Sequence, residues 1–366
     1  MSSPEGTAGR GNRPDCDIII PIWNLPELTG RCLESVIQNT GRSIRLILID
    51  NGSEAPTREM LDQFAQAAPV PVAILRNTVN LGFIKAINQG LAAAQAPWIC
   101  LLNNDTVVTA GWLTEMIRVA DQDPQIGLVN PTSNSLGLSP AGRSPEAVAR
   151  SLQAESGKSA SLSIALGFCL LGRRSLFEEI GGLDERFGMG NFDDDDLSHR
   201  VRNSGRTIVR ACGAYVYHEE KASFRRMPGW KKAFEENRRR YEAKWGRKLR
   251  ILTDSPESDP DGWRRIVEAG HWLCVAGPRG NGNPFPEGQA QVAFLEGPEK
   301  SWRRTALWRL VTKRKKPFDL VVSHDPAWSR WVRRLRWLHR ARLMDQPTHE
   351  ELLNQCRNLS RSPSSS

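Results

Sequence analysis

Short apolar runs alternate with stretches whose apolar residues recur three and four positions apart. Residues 17–22 (DIIIPI), 44–49 (IRLILI), 72–75 and 98–102 are apolar runs ended by polar turns, and each predicts a buried strand. Between them, residues 25–39 place Leu28, Cys32, Val36 and Ile37 on one helical face, and 57–67 and 84–94 predict two more helices. Strands alternating with helices across short loops predict an α/β fold with a mostly parallel sheet covered on both faces. Such sheets bind ligands at the carboxyl ends of their strands. Three polar clusters fall there: Trp23-Asn24, Asp50-Asn51 and Asn103-Asn104-Asp105.

The pattern continues with a helix over 111–121 and a strand over 126–130. A Ser-, Gly-, Pro- and Ala-rich stretch follows at 131–163, with a helix expected over 145–154. Its length suits a lid or binding loop. A strand at 164–172, a helix at 173–180, loop then helix within 187–205, and a strand at 207–217 ending on His218 complete the core. Trp230, Phe234, Tyr241 and Trp245 share one face of a helix that docks on that core. Beyond it, residues 253–262 read as a linker. Strands at 272–276, 291–295 and 318–323, with helices at 302–312 and 327–342, predict a small α/β appendage. The expected division is a tail at 1–14, a main domain at 15–252, a linker at 253–262, a basic C-terminal domain at 263–357 and a tail at 358–366.

Charge sharpens this division. The net charge is +9 over 366 residues, and the chain from 251 onward carries 19 Lys/Arg against 13 Asp/Glu. An anionic partner is expected there. In 327–342, Trp328, Trp331, Val332, Leu335 and Leu338 share a face and the arginines lie largely elsewhere, which suits either peripheral membrane contact or a helix packed on its own domain. No nucleic-acid-binding motif is present, and no nucleic-acid partner is expected. Seven scattered cysteines without a CxxC pair indicate neither zinc nor a disulfide framework. With no membrane-spanning apolar run and no apolar leader, the expected location is cytoplasmic.

Three features carry candidate chemistry. Asp105 ends a strand beside two amides, a hard-oxygen set suited to Mg²⁺ or Mn²⁺, although Asn-Asn-Asp is also good turn chemistry. Asp193-Asp194-Asp195-Asp196 follow a Gly-rich loop; one or two can cap a helix, and another held among carboxylates could act as a general base. His218 ends a strand, where a histidine is more often structural.

The order and spacing of these features resemble a family 2 glycosyltransferase. PIWN after the first strand, LIDNGS (48–53), NLGFIKAINQG (80–90), LLNNDT (101–106), GGLDERFGMGNFDDDDLSHRV (181–201) and ENRRRYEAKWG (236–246) are similar to that family's motifs, over about residues 15–250. The resemblance implies a GT-A fold, a Rossmann-like mostly parallel sheet flanked by helices, and inverting transfer from a UDP-, GDP- or dTDP-linked sugar. The acceptor would be a glycan, glycolipid or protein, in surface glycan or polysaccharide assembly. It implies that Asp50, with Pro21 and Trp23, holds the base, that Asn80, Gly82 and Lys85 line the nucleotide, and that Asn103 and Asn104 face the ribose or sugar. Asp105 and His218 would hold Mg²⁺ or Mn²⁺, Asp194 would be the base and Asp193 would bind the acceptor. In departure from the family pattern, Asn103 stands where a full D-x-D has its first acid, and two glutamates follow His218. The rival readings are a sugar nucleotidyltransferase and a catalytically degenerate binding module.

Overall fold

A computed structural model of the chain describes residues 13–219, 229–278, 292–298, 301–312 and 317–361. The chain divides into two units, residues 1–159, 166–193 and 200–224, and residues 160–165, 194–199 and 225–366.

In the first unit, β1 (Cys16–Ile22), β2 (Ile44–Asn51), β3 (Val72–Asn77) and β4 (Trp98–Leu102) pair in parallel in the order β3-β2-β1-β4. They are joined by α1 (Pro26–Asn39), α2 (Ala55–Ala67) and α3 (Phe83–Ala93). The strands are almost continuously apolar because helices cover the sheet on both faces. After β4 come β5 (Thr106–Val108), α4 (Trp112–Ala120), β6 (Ile126–Thr132), α5 (Pro145–Ser151) and β7 (Ser159–Ser161). Then follow β8 (Cys169–Arg173), α6 (Arg174–Ile180), α7 (Asp193–Asn203) and β9 (Thr207–His218). The sheet continues β4-β8-β6-β9-β5, with β8 antiparallel to both neighbours and β5 antiparallel to β9. The expectation of a mostly parallel α/β sheet is met.

Buried Asp17 locks the entry to the sheet. It accepts two hydrogen bonds from Arg45 on β2 (2.8 and 2.7 Å) and the N–H groups of Gln95 and Ala96 before β4 (2.6 and 2.8 Å). Burial alone would raise its pKa; these donors hold it below the ordinary value. Gly90 lets α3 lie on β1, since a Cβ there would stand 2.3 Å from Ile19.

Two elements differ from expectation. The strand expected at 164–172 begins only at Cys169. Asn130 fills the gap, donating to Leu166 O and Cys169 O (2.7 Å each) and accepting from Leu166 N (3.0 Å). Strand β5 is too short for a periodic signal, and its three residues exist only by pairing with β9.

The second unit contains α8 (Trp230–Trp245), on whose Trp245 the His199 ring stacks at 4.8 Å. Beyond it, β10 (Arg250–Thr253), α9 (Pro260–Glu268), β11 (Trp272–Pro278) and β12 (Val292–Gly297) lead to α10 (Trp302–Thr312), β13 (Leu320–Ser323), α11 (Pro326–Arg334), β14 (Arg342–Asp345) and α12 (His349–Arg361). The five strands are all parallel in the order β12-β11-β10-β13-β14. This is a second doubly wound sheet. Trp263 and Ile266 of α9 with Leu352 and Leu359 of α12 pack on one face. Trp302, Ala306 and Leu310 of α10 with Trp328 and Val332 of α11 pack on the other.

Residues 253–262, read as a linker, are the end of β10, a loop and the start of α9. The helix expected over 327–342 stops at Arg334, because Ala341 and Leu343 must return to the sheet core. Residues 358–361, read as tail, belong to α12, whose Ser360 carbonyl accepts from Arg247 N–H (2.8 Å). The expected tail at 1–14 lies outside the described residues up to residue 12, as do 362–366. None of the seven cysteines is in a disulfide, and burial pushes the Cys32 thiol up to about 12.

His271 makes the second unit sensitive to acid. Burial, then Lys248 and Arg247, lower its pKa to about 4, and its Nδ1 accepts the Leu249 N–H at 3.2 Å. The native state therefore holds a neutral ring that the unfolded chain protonates near pH 6.5. Its contribution is complete above pH 6.5 and is lost progressively from there down to about pH 4, about 3 kcal/mol in all. Thermal unfolding of the wild type should fall over that window, and His271→Gln should flatten the dependence.

Candidate functional site

The carboxyl ends of β1, β2 and β3 form one edge, with Ile22 paired to Asp50 and Asp50 to Arg76. Asn24 and Leu25 both adopt left-handed backbone (φ 57° and 61°), folding the chain sharply after β1. This turn is tied to the next: Asn24 N–H donates to Ser53 Oγ (3.0 Å) and Glu54 N–H to Asn24 Oδ1 (2.8 Å). Trp23 is exposed beside it and Pro21 half-buried. Buried Asp50 accepts Ser53 N–H (2.9 Å) and Arg76 Nη1 (2.7 Å).

The loop after β3 is built by amides. Asn51 donates to Asn80 Oδ1 (2.9 Å) and Gly82 O (3.2 Å), and accepts from Asn77 Nδ2 and Leu81 N–H (3.0 Å each). Asn80 Oδ1 also accepts the Gly82 N–H at 2.9 Å. Gly52 (φ +78°) lies against this loop; a Cβ there would stand 2.5 Å from Val79 C. Lys85 is exposed at the start of α3 and has no ion-pair partner among the described residues.

Asp105 occupies the tight turn between β4 and β5. Pairing of Thr106 with His218 brings the two together, and His218 Nε2 lies 3.1 Å from Asp105 Oδ1. The imidazole is held on every side. Nδ1 is hydrogen-bonded to Ser135 Oγ (2.9 Å), the ring stacks on Phe168 (centroids 5.1 Å, 14° between planes), and Asn134 brackets the backbone by donating to His218 O (2.7 Å) and accepting from His218 N–H (2.9 Å). Glu219 N–H donates to Asp105 O (2.9 Å), while its carboxylate meets Arg31 at 3.2 Å. Asn104 Nδ2 donates to Thr29 Oγ1 (2.9 Å). Asn103 Oδ1 is buried with no hydrogen-bond partner among the described residues. An acid, an imidazole and an orphaned amide oxygen make a donor set that fits a divalent cation and the polar groups around it. Among the described residues no three acidic, His or Cys side chains cluster as a metal site. A cation here would draw its further ligands from solvent or substrate.

The acid run divides. Asp195 pairs with Lys248, and Asp196, fully buried, accepts Trp245 Nε1 (2.7 Å) and pairs with Lys244 (2.6 Å). These two acids bind α7 to α8 and the chain beyond it inside the second unit. Asp193 is buried at the start of α7, in the first unit; Asp194, in the second, is half-buried, with its carbonyl accepting Ser198 Oγ (2.6 Å).

Sequence reasoning did not find Asn134, Ser135 or Phe168. Asn134 and Ser135 come from a stretch whose composition signals only a loop, and Phe168 from a run read as a strand, where a buried phenylalanine is ordinary; together they form the wall behind His218. Arg76 was also missed, since an arginine in a strand gives no motif.

Residues 17–181 match the sequence model of Glycosyl transferase family 2. The chain is 28% identical over 233 residues to the O-antigen biosynthesis protein RfbC of Myxococcus xanthus, covering 58% of this chain and 18% of that one. It is 27% identical over 231 residues to an N-acetylglucosaminyl-diphospho-decaprenol L-rhamnosyltransferase of Mycobacterium tuberculosis, covering 54% and 74%. The mannosyltransferase PcManGT of Pyrobaculum calidifontis, solved with GDP-Man and Mn²⁺, superimposes with a TM-score of 0.46 at 20% identity, over 57% of each chain. The chain spans 18% to 37% of the length of the first curated relatives it matches.

Gly52→Ala should destabilise the first unit by about 1–3 kcal/mol in urea unfolding, through positive φ and backbone collision together. Gly30→Ala, inside α1 with open space around the new methyl, should be neutral or stabilising by up to about 1 kcal/mol.

Proposed function

We propose that the protein is an inverting glycosyltransferase, because residues 17–181 match the model of Glycosyl transferase family 2. It would move a sugar from a nucleotide-sugar donor to an acceptor hydroxyl in surface glycan or polysaccharide assembly. The observation that carries this reading is the Asp105–His218 pair at 3.1 Å; Asn103, two residues before Asp105, adds a buried Oδ1 with no hydrogen-bond partner among the described residues. Asp105 and His218 would hold Mg²⁺ or Mn²⁺, and the bound cation supplies Lewis-acid assistance to departure of the nucleoside diphosphate.

The other roles fall on this chain's own residues. Asp50 receives the nucleobase of a UDP-, GDP- or dTDP-sugar through lone pairs left over from Ser53 and Arg76, with Pro21 and Trp23 beside it. Asn80 and Gly82 shape the loop along the nucleotide, and Lys85 meets its charge. Asn103 and Asn104 face the ribose or sugar. Asp194 takes the proton of the acceptor hydroxyl, whose oxygen attacks the anomeric carbon as the bond to the diphosphate breaks, inverting configuration. Asp193 binds the acceptor. The lipid-linked acceptor named for the mycobacterial rhamnosyltransferase supports a glycolipid acceptor, and a cytoplasmic enzyme peripheral to the membrane would reach one. Glycan or protein acceptors fit the same chemistry.

The test follows nucleoside diphosphate release from a panel of UDP-, GDP- and dTDP-sugars with Mg²⁺ or Mn²⁺. One donor should turn over, and EDTA should stop it. Asp105→Ala should lower the rate at least about 10²-fold. Near-wild-type turnover by Asp105→Ala would sink the proposal.

A second set of variants separates chemistry from structure. Asp194→Asn should lower transfer by about 10²–10⁴-fold with melting unchanged. Asp196→Asn should lower the melting temperature, through the lost Lys244 pairing.

A further inference from the structure

Among the nine tryptophans of the second unit, Trp230 and Trp245 of α8 are half-buried and Trp272 at the start of β11 is 41% exposed; those of α9, α10, α11 and the turn after α11 fall into two groups. Trp263, Trp302 and Trp328 are buried in the unit's two cores. Trp308, Trp331 and Trp337 are 65%, 53% and 80% exposed, with Leu338 also exposed beside Trp337. The apolar stripe of α11, Trp328 and Val332, is thus spent on the sheet, and the exposed rings lie elsewhere. Trp308 is on α10, Trp331 on α11, and Trp337-Leu338 in the turn after α11. Because α10 and α11 cover the same face of the sheet, their outward sides form one surface.

That surface is strongly cationic. Residues 302–312 and 326–341 contain Arg303, Arg304, Arg309, Arg330, Arg333, Arg334, Arg336 and Arg340 and no Asp or Glu. All eight are exposed. Arg303 pairs with Asp325 and Arg333 with Asp345; the other six have no carboxylate partner among the described residues. Exposed large apolar rings on a soluble surface mark an interaction site. Tryptophans favour the membrane–water boundary, and each arginine near an anionic leaflet adds about 1 kcal/mol of attraction. Leu338 has a use in acyl chains and none in stacking on bases. Trp308 and Trp331 stand on helices and Trp337 on the turn after α11, rather than on a sheet of the kind on which bases stack.

We propose that the outer face of α10, α11 and the turn after α11 is a docking surface for an anionic lipid bilayer, with Trp308, Trp331, Trp337 and Leu338 entering the headgroup boundary and the arginines meeting lipid phosphates. This deepens the peripheral placement proposed above; it is independent of the transfer chemistry.

The test is sedimentation of the full chain with vesicles of phosphatidylcholine alone or mixed with phosphatidylglycerol. Binding should be at least about tenfold tighter to the anionic vesicles and weaken as salt rises. Tryptophan emission should shift to the blue on binding. The exposed double variants Trp331→Ser with Trp337→Ser, and Arg330→Glu with Arg334→Glu, should each weaken binding about tenfold, with melting and vesicle-free nucleotide release as in the wild type. Failure to bind either vesicle, or equal binding to both, overturns the proposal. So does tighter binding to a single-stranded oligonucleotide that the same variants abolish, which would make the surface a nucleic-acid site. Loss of transferase activity in any arm bears on the Asp105 chemistry alone.

Discussion

The three ladder pairs between β5 and β9 are the constraint on which the first unit's chemistry depends. A three-residue strand has little stability of its own, yet its register sets Thr106 opposite His218 and so delivers the preceding acid to the imidazole. The neighbourhood reinforces that register. Thr109 Oγ1 donates to Tyr215 O at 2.7 Å, and Ser35 Oγ accepts the Val108 N–H at 3.1 Å, tying β5 to both β9 and α1. Asn134 and Phe168 then fix the far side of His218. A slip of one residue would turn these side chains to the opposite face and separate the pair.

Polar residues at this edge act first on the backbone. Asn24, Asn51 and Asn80 satisfy loop N–H and C=O groups that would otherwise face a buried rim, Asn77 braces the Asn51 side chain, and Gly52 lets two of those loops meet backbone to backbone. The edge is therefore organised before any ligand arrives, which favours tight positioning of a bound group. The acid run shows the same economy. Asp195 and Asp196 neutralise Lys248 and Lys244 and so make the approach of α7 and α8 tolerable.

The second unit repeats the doubly wound scheme with a different outcome at its strand ends. Asp254, after β10, accepts Ser323 Oγ (2.6 Å) and the N–H groups of His324 (2.9 Å) and Asp325 (3.3 Å) after β13. Donors that could meet an anion at this switch point are thus taken by the protein's own carboxylate. What the unit offers outward is the arginine- and tryptophan-bearing face of α10 and α11.

Local pattern determined much of this. Continuous apolar runs fixed β1, β2 and β4, and helical spacing fixed α1 and α3, because burial on both faces of a sheet or one face of a helix constrains every residue in turn. The motif order pointed to the family and to Asp50, Asp105 and His218 as residues of interest. Non-local pairing decided the rest. Strand β5, the late start of β8 at Cys169, the strand status of 250–253 and 342–345, and the end of α11 at Arg334 each depend on a partner far along the chain, which composition and periodicity do not register. The same holds for what Asp195 and Asp196 meet and which tryptophan is exposed: all four acids look alike in sequence, and only the arrival of Lys244, Trp245 and Lys248 gives those two their partners.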